Sequence, residues 1–329
     1  MPDKIRWGIL GTGNIAKQFA RGLQALPDAE LVAVGSRNAD TATAFADEFN
    51  VPRRHATYAA LAQDDAVDII YVSSPHQAHK DDSILCLKSG KGVLCEKPFA
   101  INRAEAQTMV DTARTEKRFL MEAMWTRFLP AIAQVRAWLK EGVIGEVRMV
   151  QADFGFCAQL DPESRLFDPN FGGGSLLDVG VYAVSFASMV FGGPPTEIQS
   201  LAHIGVTKVD EHAAMVLGYS GGALALLASA VRANTSQEAR VIGTEGLIHV
   251  PSPFWRSPKV VLALNGKDPQ EVELPYEGNG YNYEAAAAGD CLRDGRLEHE
   301  VMPLDETLSI MDTMDRIRAQ WGLRYPMEP

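Results

Sequence analysis

Three things are scarce in this chain: long apolar runs, paired cysteines and blocks of positive charge. No run approaches the roughly 18 consecutive apolar residues of a membrane span, so no membrane partner is expected. The four cysteines, Cys86, Cys95, Cys157 and Cys291, are scattered without a C-x-x-C pair. They read as reduced thiols of a cytoplasmic protein, and no metal site is expected. Basic runs are missing and the net charge is −11, which argues against a nucleic-acid partner. The first apolar segment, Ile5 to Leu10, starts almost at the initiator methionine and leaves no room for a signal peptide.

What is present is a soluble composition, 46% hydrophobic and 22% charged, spread over 329 residues. That length exceeds one ordinary core and suits two domains. The texture of the chain changes at Gly142 and Gly145, after the parallel-sheet pattern has closed and a helix over Ala131 to Glu141 has followed. The close of that pattern predicts a dinucleotide-binding domain over 1–124 and a substrate-binding and oligomerisation domain over 125–329.

Ile5 to Leu10 runs directly into Gly11-Thr12-Gly13-Asn14-Ile15-Ala16, and a helical pattern continues through Phe19, Leu23 and Leu26. This strand, glycine turn and helix start is what a Rossmann fold requires. Gly11 permits the turn, Gly13 lets backbone approach a pyrophosphate, and Ala16 keeps the helix close to the sheet. The free N–H groups of Thr12, Asn14 and Ile15 lie where the helix dipole favours phosphate. The second strand, Leu31 to Val34, ends in Gly35-Ser36-Arg37-Asn38, where an acid would normally meet a ribose 2′-hydroxyl. No acid is there. Ser36 and Arg37 suit a 2′-phosphate instead, which favours NADP(H) over NAD; the alternative is that Arg37 stacks on adenine or faces solvent.

Val67 to Val72 is the next buried strand, and Ser74, Pro75 and His76 follow its end, where a loop would lie along the cofactor ribose. His76 is a candidate for the nicotinamide pocket, whereas His79 reads as an ordinary surface histidine. Val93-Leu94-Cys95-Glu96-Lys97-Pro98 then places two charges at a strand end, with Pro98 stopping further pairing. Ligands of open α/β sheets collect at that edge, so Glu96 and Lys97 are site candidates; a surface ion pair is the other reading. Strands alternating with helices predict a parallel, doubly wound sheet, closed by Phe119 to Met121. Beyond it, Trp125, Arg127 and Phe128 either wall a pocket for cofactor and substrate or pack a domain boundary.

The second half predicts an α+β domain: an open, mainly antiparallel sheet with helices on one face. Its strands are Val147 to Phe156, Glu197–His203, Ala213–Tyr219, Ala223–Ala230, Ala239–Ile242 and Val260–Leu264, and the uncovered face would join a second copy. Within this half, Gly172-Gly173-Gly174 leads to Asp178 and Tyr182, four residues apart and so on one helical face. Gly174 would leave that face open to a ligand. An acid and a tyrosine in an apolar helix need partners; they serve a ligand or satisfy each other. Tyr182 beside Lys97 would make a proton-transfer pair, because an ammonium lowers a phenol's pKa from about 10, with Asp178 on a substrate hydroxyl. Phe154, Phe156 and Phe167 would form an aromatic wall.

G-x-G-x-x-A, Glu96-Lys97-Pro98 and the Gly-Gly-x-x-x-Asp-x-Gly-x-Tyr segment resemble the glucose–fructose oxidoreductase/inositol dehydrogenase family over essentially the whole chain. Tyr182 replaces the histidine of many members and is similar to the branch acting on aldoses and cyclic trans-diols. The resemblance implies Lys97 and Tyr182 as the catalytic pair, with Asp178, Trp125 and Arg127 near substrate. It also implies NADP(H), a polyol, sugar or diol substrate, and a homodimer built through the carboxy-terminal sheet. A non-catalytic NADP-binding regulator and an NAD-dependent redox glycosidase are the alternative expectations.

Overall fold

The computed structural model describes residues 4–328. The chain divides into two compact units: 1–100, 104–128 and 277–307 form the first, and 101–103, 129–276 and 308–329 the second.

In the first unit, six strands line up in one parallel sheet. They are β1 (Ile5–Leu10), β2 (Ala29–Gly35), β3 (Arg53–His55), β4 (Ile69–Val72), β5 (Gly92–Glu96) and β6 (Leu120–Ala123), in the order β3-β2-β1-β4-β5-β6. The linking helices are α1 (Asn14–Leu23), α2 (Ala39–Phe49), α3 (Tyr58–Ala62), α4 (His79–Lys88) and α5 (Arg103–Glu116). The central strands β4 and β5 are buried at every residue, as a sheet covered on both faces demands. This is the doubly wound order whose reversal point lies beyond the carboxyl ends of β1 and β4.

In the second unit, α6 (Pro130–Glu141) precedes β7 (Val147–Gly155), and α7 (Val181–Phe191) follows a long irregular segment. Then come β8 (Glu197–Ile204), β9 (Asp210–Gly218), β10 (Leu224–Ala230), β11 (Ala239–Gly243), β12 (Gly246–Val250), β13 (Lys259–Leu264) and β14 (Gln270–Glu273). These eight strands form one sheet in the order β14-β13-β12-β11-β7-β10-β9-β8, antiparallel except where β10 pairs with β7. α7 packs across β7 and β10, and α6 lies on β13. The other face alternates outward, with Leu201 82% exposed and Val216 and Leu226 partly so.

Two expectations change. The stretch Pro169–Phe191 contains an 18-residue window of mean hydropathy 1.5, long and apolar enough by composition to cross a membrane, and 83% of that window is buried inside the protein. It is the core helix of the second unit, and its apolar character answers burial on all sides. The chain also does not divide once at 124. α8 (Tyr281–Asp294) rejoins the first unit and packs against α1, where Gly22 leaves room: a Cβ there would come within 2.9 Å of the Tyr281 Cβ. The last helix, α9 (Leu304–Ala319), starts in the first unit and belongs to the second from Leu308.

Candidate active site

The first unit supplies the edge expected for a dinucleotide. β1 feeds Gly11, whose φ of +104° turns the chain, and α1 begins with Gly13 as its N-cap and no side-chain cap. A Cβ at Gly13 would meet nothing within 4 Å. The helix start therefore presents free N–H groups to open space, which fits a pyrophosphate. Ala16 is fully buried beneath it. At the end of β2, Ser36 is buried and its hydroxyl lies 2.7 Å from that of Thr41. Arg37 is exposed, against the Tyr58 hydroxyl and near Asp82.

The loop after β4 holds Ser74, Pro75 and His76, with both Ser74 and His76 buried. His79 is not at the surface. It is wholly buried, with Nδ1 2.8 Å from the Pro98 carbonyl and Nε2 2.8 Å from the Ser74 carbonyl. It thus ties the loop after β4 to the segment after β5. Burial pushes its pKa down to about 4. A neutral imidazole carries one ring N–H, so only one of the two carbonyls accepts a hydrogen bond from it.

β5 ends in Glu96, which is buried and accepts the Tyr71 hydroxyl and the Lys97 N–H, the latter at 3.1 Å. The Tyr71 ring is stacked on Phe19, and the Glu284 carboxyl lies buried nearby. Burial and the Glu96 charge push the Glu284 pKa well up, which favours its neutral acid form. Lys97 is half-buried, and its peptide bond to Pro98 is cis.

Of the cluster after β6, Trp125 is stacked on Tyr281 with ring centroids 4.6 Å apart. Arg127 is buried and donates to Glu306 at 2.7 Å and to the Val301 carbonyl at 3.0 Å. These bonds pin the returning segment into the first unit, which is the packing reading of that residue. Phe128 lies edge-on to His299. Below them, Glu122 is fully buried with one oxygen bonded by the Thr307 hydroxyl, and burial pushes its pKa up to about 7.

The second unit carries the tyrosine. A π-helical turn, Leu176–Gly180, precedes α7, and the Val181 N–H donates back to the Leu176 carbonyl. The five-residue spacing of that bond widens the turn that carries Asp178 into the helix of Tyr182. Asp178 is buried and paired with Arg165 at 3.0 Å. Tyr182 is nearly buried, its ring 5.3 Å from that of Phe154, and Phe154 is stacked on Trp255. Phe156 meets Phe154 edge-on at 6.4 Å. Phe167 is buried in a core cluster with Leu166, Val179, Val209 and Val231, and Phe154 and Phe156 pack against that cluster, so Phe167 backs the wall from the core.

Gly174 does not open a face to ligand. Its φ is +109°, and a Cβ there would lie 2.2 Å from the Asp210 carboxyl. Asp210 is fully buried, accepts the Ser175 hydroxyl at 2.8 Å and the Leu176 N–H at 2.7 Å, and so anchors the turn. Burial pushes its pKa up to about 6. Among the described residues no cluster of three metal-ligating side chains occurs.

With this geometry in place, similarity to known proteins decides the family. Residues 5–124 match the model of the oxidoreductase family with an NAD-binding Rossmann fold, and residues 132–249 match the GFO/IDH/MocA C-terminal domain. The chain belongs to the GFO/IDH/MocA family. Relatives named trans-1,2-dihydrobenzene-1,2-diol dehydrogenase are similar to it from end to end. The Xenopus tropicalis protein is 36% identical, covering 98% of this chain and 99% of its own. The Mus musculus protein is 38% identical with the same coverage. Among solved structures, a 3-ketoreductase from Actinomadura kijaniata in complex with NADP and TDP-benzene superposes with a TM-score of 0.85. It is 27% identical, covering 96% of this chain and 97% of that one. An aldose-aldose oxidoreductase from Caulobacter crescentus, 24% identical, shares the fold with a TM-score of 0.88 over 97% of this chain and 98% of that one. This GFO/IDH/MocA protein is therefore an oxidoreductase of the dehydrogenase kind.

Sequence reasoning passed over Arg165, Trp255, Asp210 and the burial of His79. Arg165 sits in an irregular loop and Trp255 in a single 3-10 turn, Phe254–Arg256, so neither carries a periodic signal.

Proposed function

We propose that this protein is an NADP-dependent dehydrogenase acting on a CH–OH group of a cyclic trans-dihydrodiol or an aldose. The observation that carries the reading is the aromatic stack of Phe154 on Trp255 beside the Tyr182 ring, in a chain whose full-length relatives are named dihydrodiol dehydrogenases. A flat ring bearing two hydroxyls suits such a wall, with an acid and a phenol as its polar contacts.

The group to be held is the nicotinamide dinucleotide. Gly11, Thr12, Gly13, Asn14 and Ile15 would hold the pyrophosphate, and Ser36 and Arg37 the 2′-phosphate. The absence of an acid at the end of β2 and the exposed guanidinium of Arg37 support NADP, as does the NADP in the Actinomadura enzyme. Ser74, Pro75 and His76 would line the ribose, with Glu96 and Trp125 closing the pocket. When bound, the nicotinamide accepts or gives the hydride. Tyr182 takes the hydroxyl proton during oxidation and returns it during reduction. Lys97 stabilises the phenolate, which makes that exchange accessible near neutral pH. Asp178, paired with Arg165, accepts a hydrogen bond from a substrate hydroxyl. Phe156 backs Phe154, and Arg127 supports the site through its bonds to Glu306 and the Val301 carbonyl.

A homodimer through the exposed sheet face completes the proposal. That face has a shallow depression of about 650 Å³, lined by Leu201, Val216 and Leu226 together with Gln151 and Asp153. A cytoplasmic location accords with the four free cysteines.

The test is absorbance at the reduced-nicotinamide band, with NADP and with NAD, across cyclic trans-diols, aldoses and inositols. Turnover with NADP on diols or aldoses is expected, and Tyr182→Phe should remove most of it while leaving NADP affinity intact. Silence across the panel with tight NADP binding would instead leave a cofactor sensor.

A further inference from the structure

The tail after α9 holds two segments of the second unit at once. Tyr325, 2% exposed, donates its hydroxyl to the Gly173 carbonyl at 2.9 Å. Gly173 lies in the turn ahead of Asp178, and the turn has no slack there. A Cβ on Gly173 would come within 2.7 to 3.0 Å of the carbonyl oxygens of Leu166, Arg165 and Asp168.

Three residues further on, Glu328 accepts from the Asn102 side-chain amide and from the Tyr325 N–H, each at 2.9 Å, and from both terminal nitrogens of Arg318. Burial opposes its charge, yet the bonds from Arg318, the Tyr325 N–H and Asn102 hold its pKa below the ordinary value. Arg318 also grips Asp315 at 2.8 Å, and the other Asp315 oxygen accepts the Arg103 N–H at 2.9 Å. The Arg318 guanidinium lies over the Tyr325 ring. Residues 101–103, which follow the Lys97 segment, group with the second unit while 1–100 and 104–128 group with the first. The Asn102–Glu328 and Arg103–Asp315 bonds tie them to it.

We infer that the tail is a positioning latch for the reaction: Tyr325 fixes the Gly172–Gly174 turn that sets Asp178 and Tyr182, and Glu328 fixes residues 101–103 after Lys97. Neither residue touches substrate. Each acts through the segment it holds, and the inference rests on the proposed roles of Lys97, Asp178 and Tyr182. Segments after a last helix usually fray; here Tyr325 is buried and Glu328 is bonded by a guanidinium–carboxylate pair, one of the stronger polar contacts.

The experiment compares the full chain with Tyr325→Phe and Glu328→Gln. Steady-state turnover is measured with NADP and the best diol or aldose, alongside hydrogen exchange. Tyr325→Phe should lower kcat about ten-fold, the worth of one buried hydrogen bond, while KM for NADP stays within about two-fold. Exchange should quicken over residues 172–182. Glu328→Gln should do the same with faster exchange at 101–104. A kcat unchanged in both variants overturns the latch, and so does a loss that tracks NADP affinity and thermal stability in parallel. If the full chain turns over no substrate at all, the functional reading fails instead. Exchange then decides the latch alone, and unaltered protection over 172–182 in Tyr325→Phe refutes it.

Discussion

Replacing Gly174 by alanine tests the account of how the tyrosine helix is started. The residue has a φ of +109°, which L side chains rarely adopt, and that alone costs about 1–3 kcal/mol. The new Cβ would overlap the Asp210 carboxyl at 2.2 Å, so the carboxyl must leave its place. Asp210 there accepts the Ser175 hydroxyl and the Leu176 N–H, both buried, and leaving such donors unsatisfied costs roughly 1–3 kcal/mol. Together these give on the order of 3–5 kcal/mol, a fall of about 10 °C in the transition of the second unit. Scanning calorimetry would read it, with two transitions fitted because a two-unit chain need not melt in one step. Turnover should fall with it, since Asp178 and Tyr182 ride on the same turn, while NADP affinity should hold. A variant within about 1 kcal/mol of wild type, or one that destabilises the first unit equally, would refute the role given to Asp210.

Two more outcomes follow from the same structure. Arg37→Ala should weaken NADP far more than NAD in a direct titration, and equal losses would undo the 2′-phosphate assignment. Glu122 has its folded pKa raised to about 7 by burial, from an ordinary value of 4.5. Its contribution is therefore fully present below about pH 4.5 and lost as pH rises through 7, a change on the order of 3 kcal/mol. Glu122→Gln should gain on wild type in denaturant midpoint between pH 5 and pH 8, and parallel curves for the two proteins would count against a buried neutral acid.

The features legible in the sequence were those whose cause is local. Gly11 to Ala16 sits between a buried strand and a helix in six residues, so turn, helix start and close packing all announce themselves together. The antiparallel half was readable from alternation, although the hairpin partner β12 and the four-residue edge strand β14 were passed over, as was the three-residue β3 of the parallel sheet. What stayed hidden depends on partners far away in the chain. His79 is polar and next to a lysine, yet it is buried because the Pro98 and Ser74 carbonyls converge on it. Gly174 reads as open space until Asp210, from another strand, fills it. Phe154 and Phe167 are the same residue type in the same region, and only packing makes Phe167 the buried backing and leaves Phe154 partly exposed beside Tyr182. Arg127 looks like a ligand-binding cation by composition, and its acceptors Glu306 and Val301 lie beyond any local pattern.

The return of α8 to the first unit has a consequence for synthesis. The parallel sheet is fully translated once β6 has emerged, but the helix that covers α1 follows roughly 160 residues later, about 8–30 s at ordinary elongation rates. During that interval, the surface around Gly22 that Tyr281 will cover faces solvent on a nascent chain. A ribosome-bound 1–128 segment should therefore recruit a holdase or clump, and supplying 277–307 as a separate peptide should relieve it. Such a fragment pair would report directly on how long the newborn sheet waits for its lid.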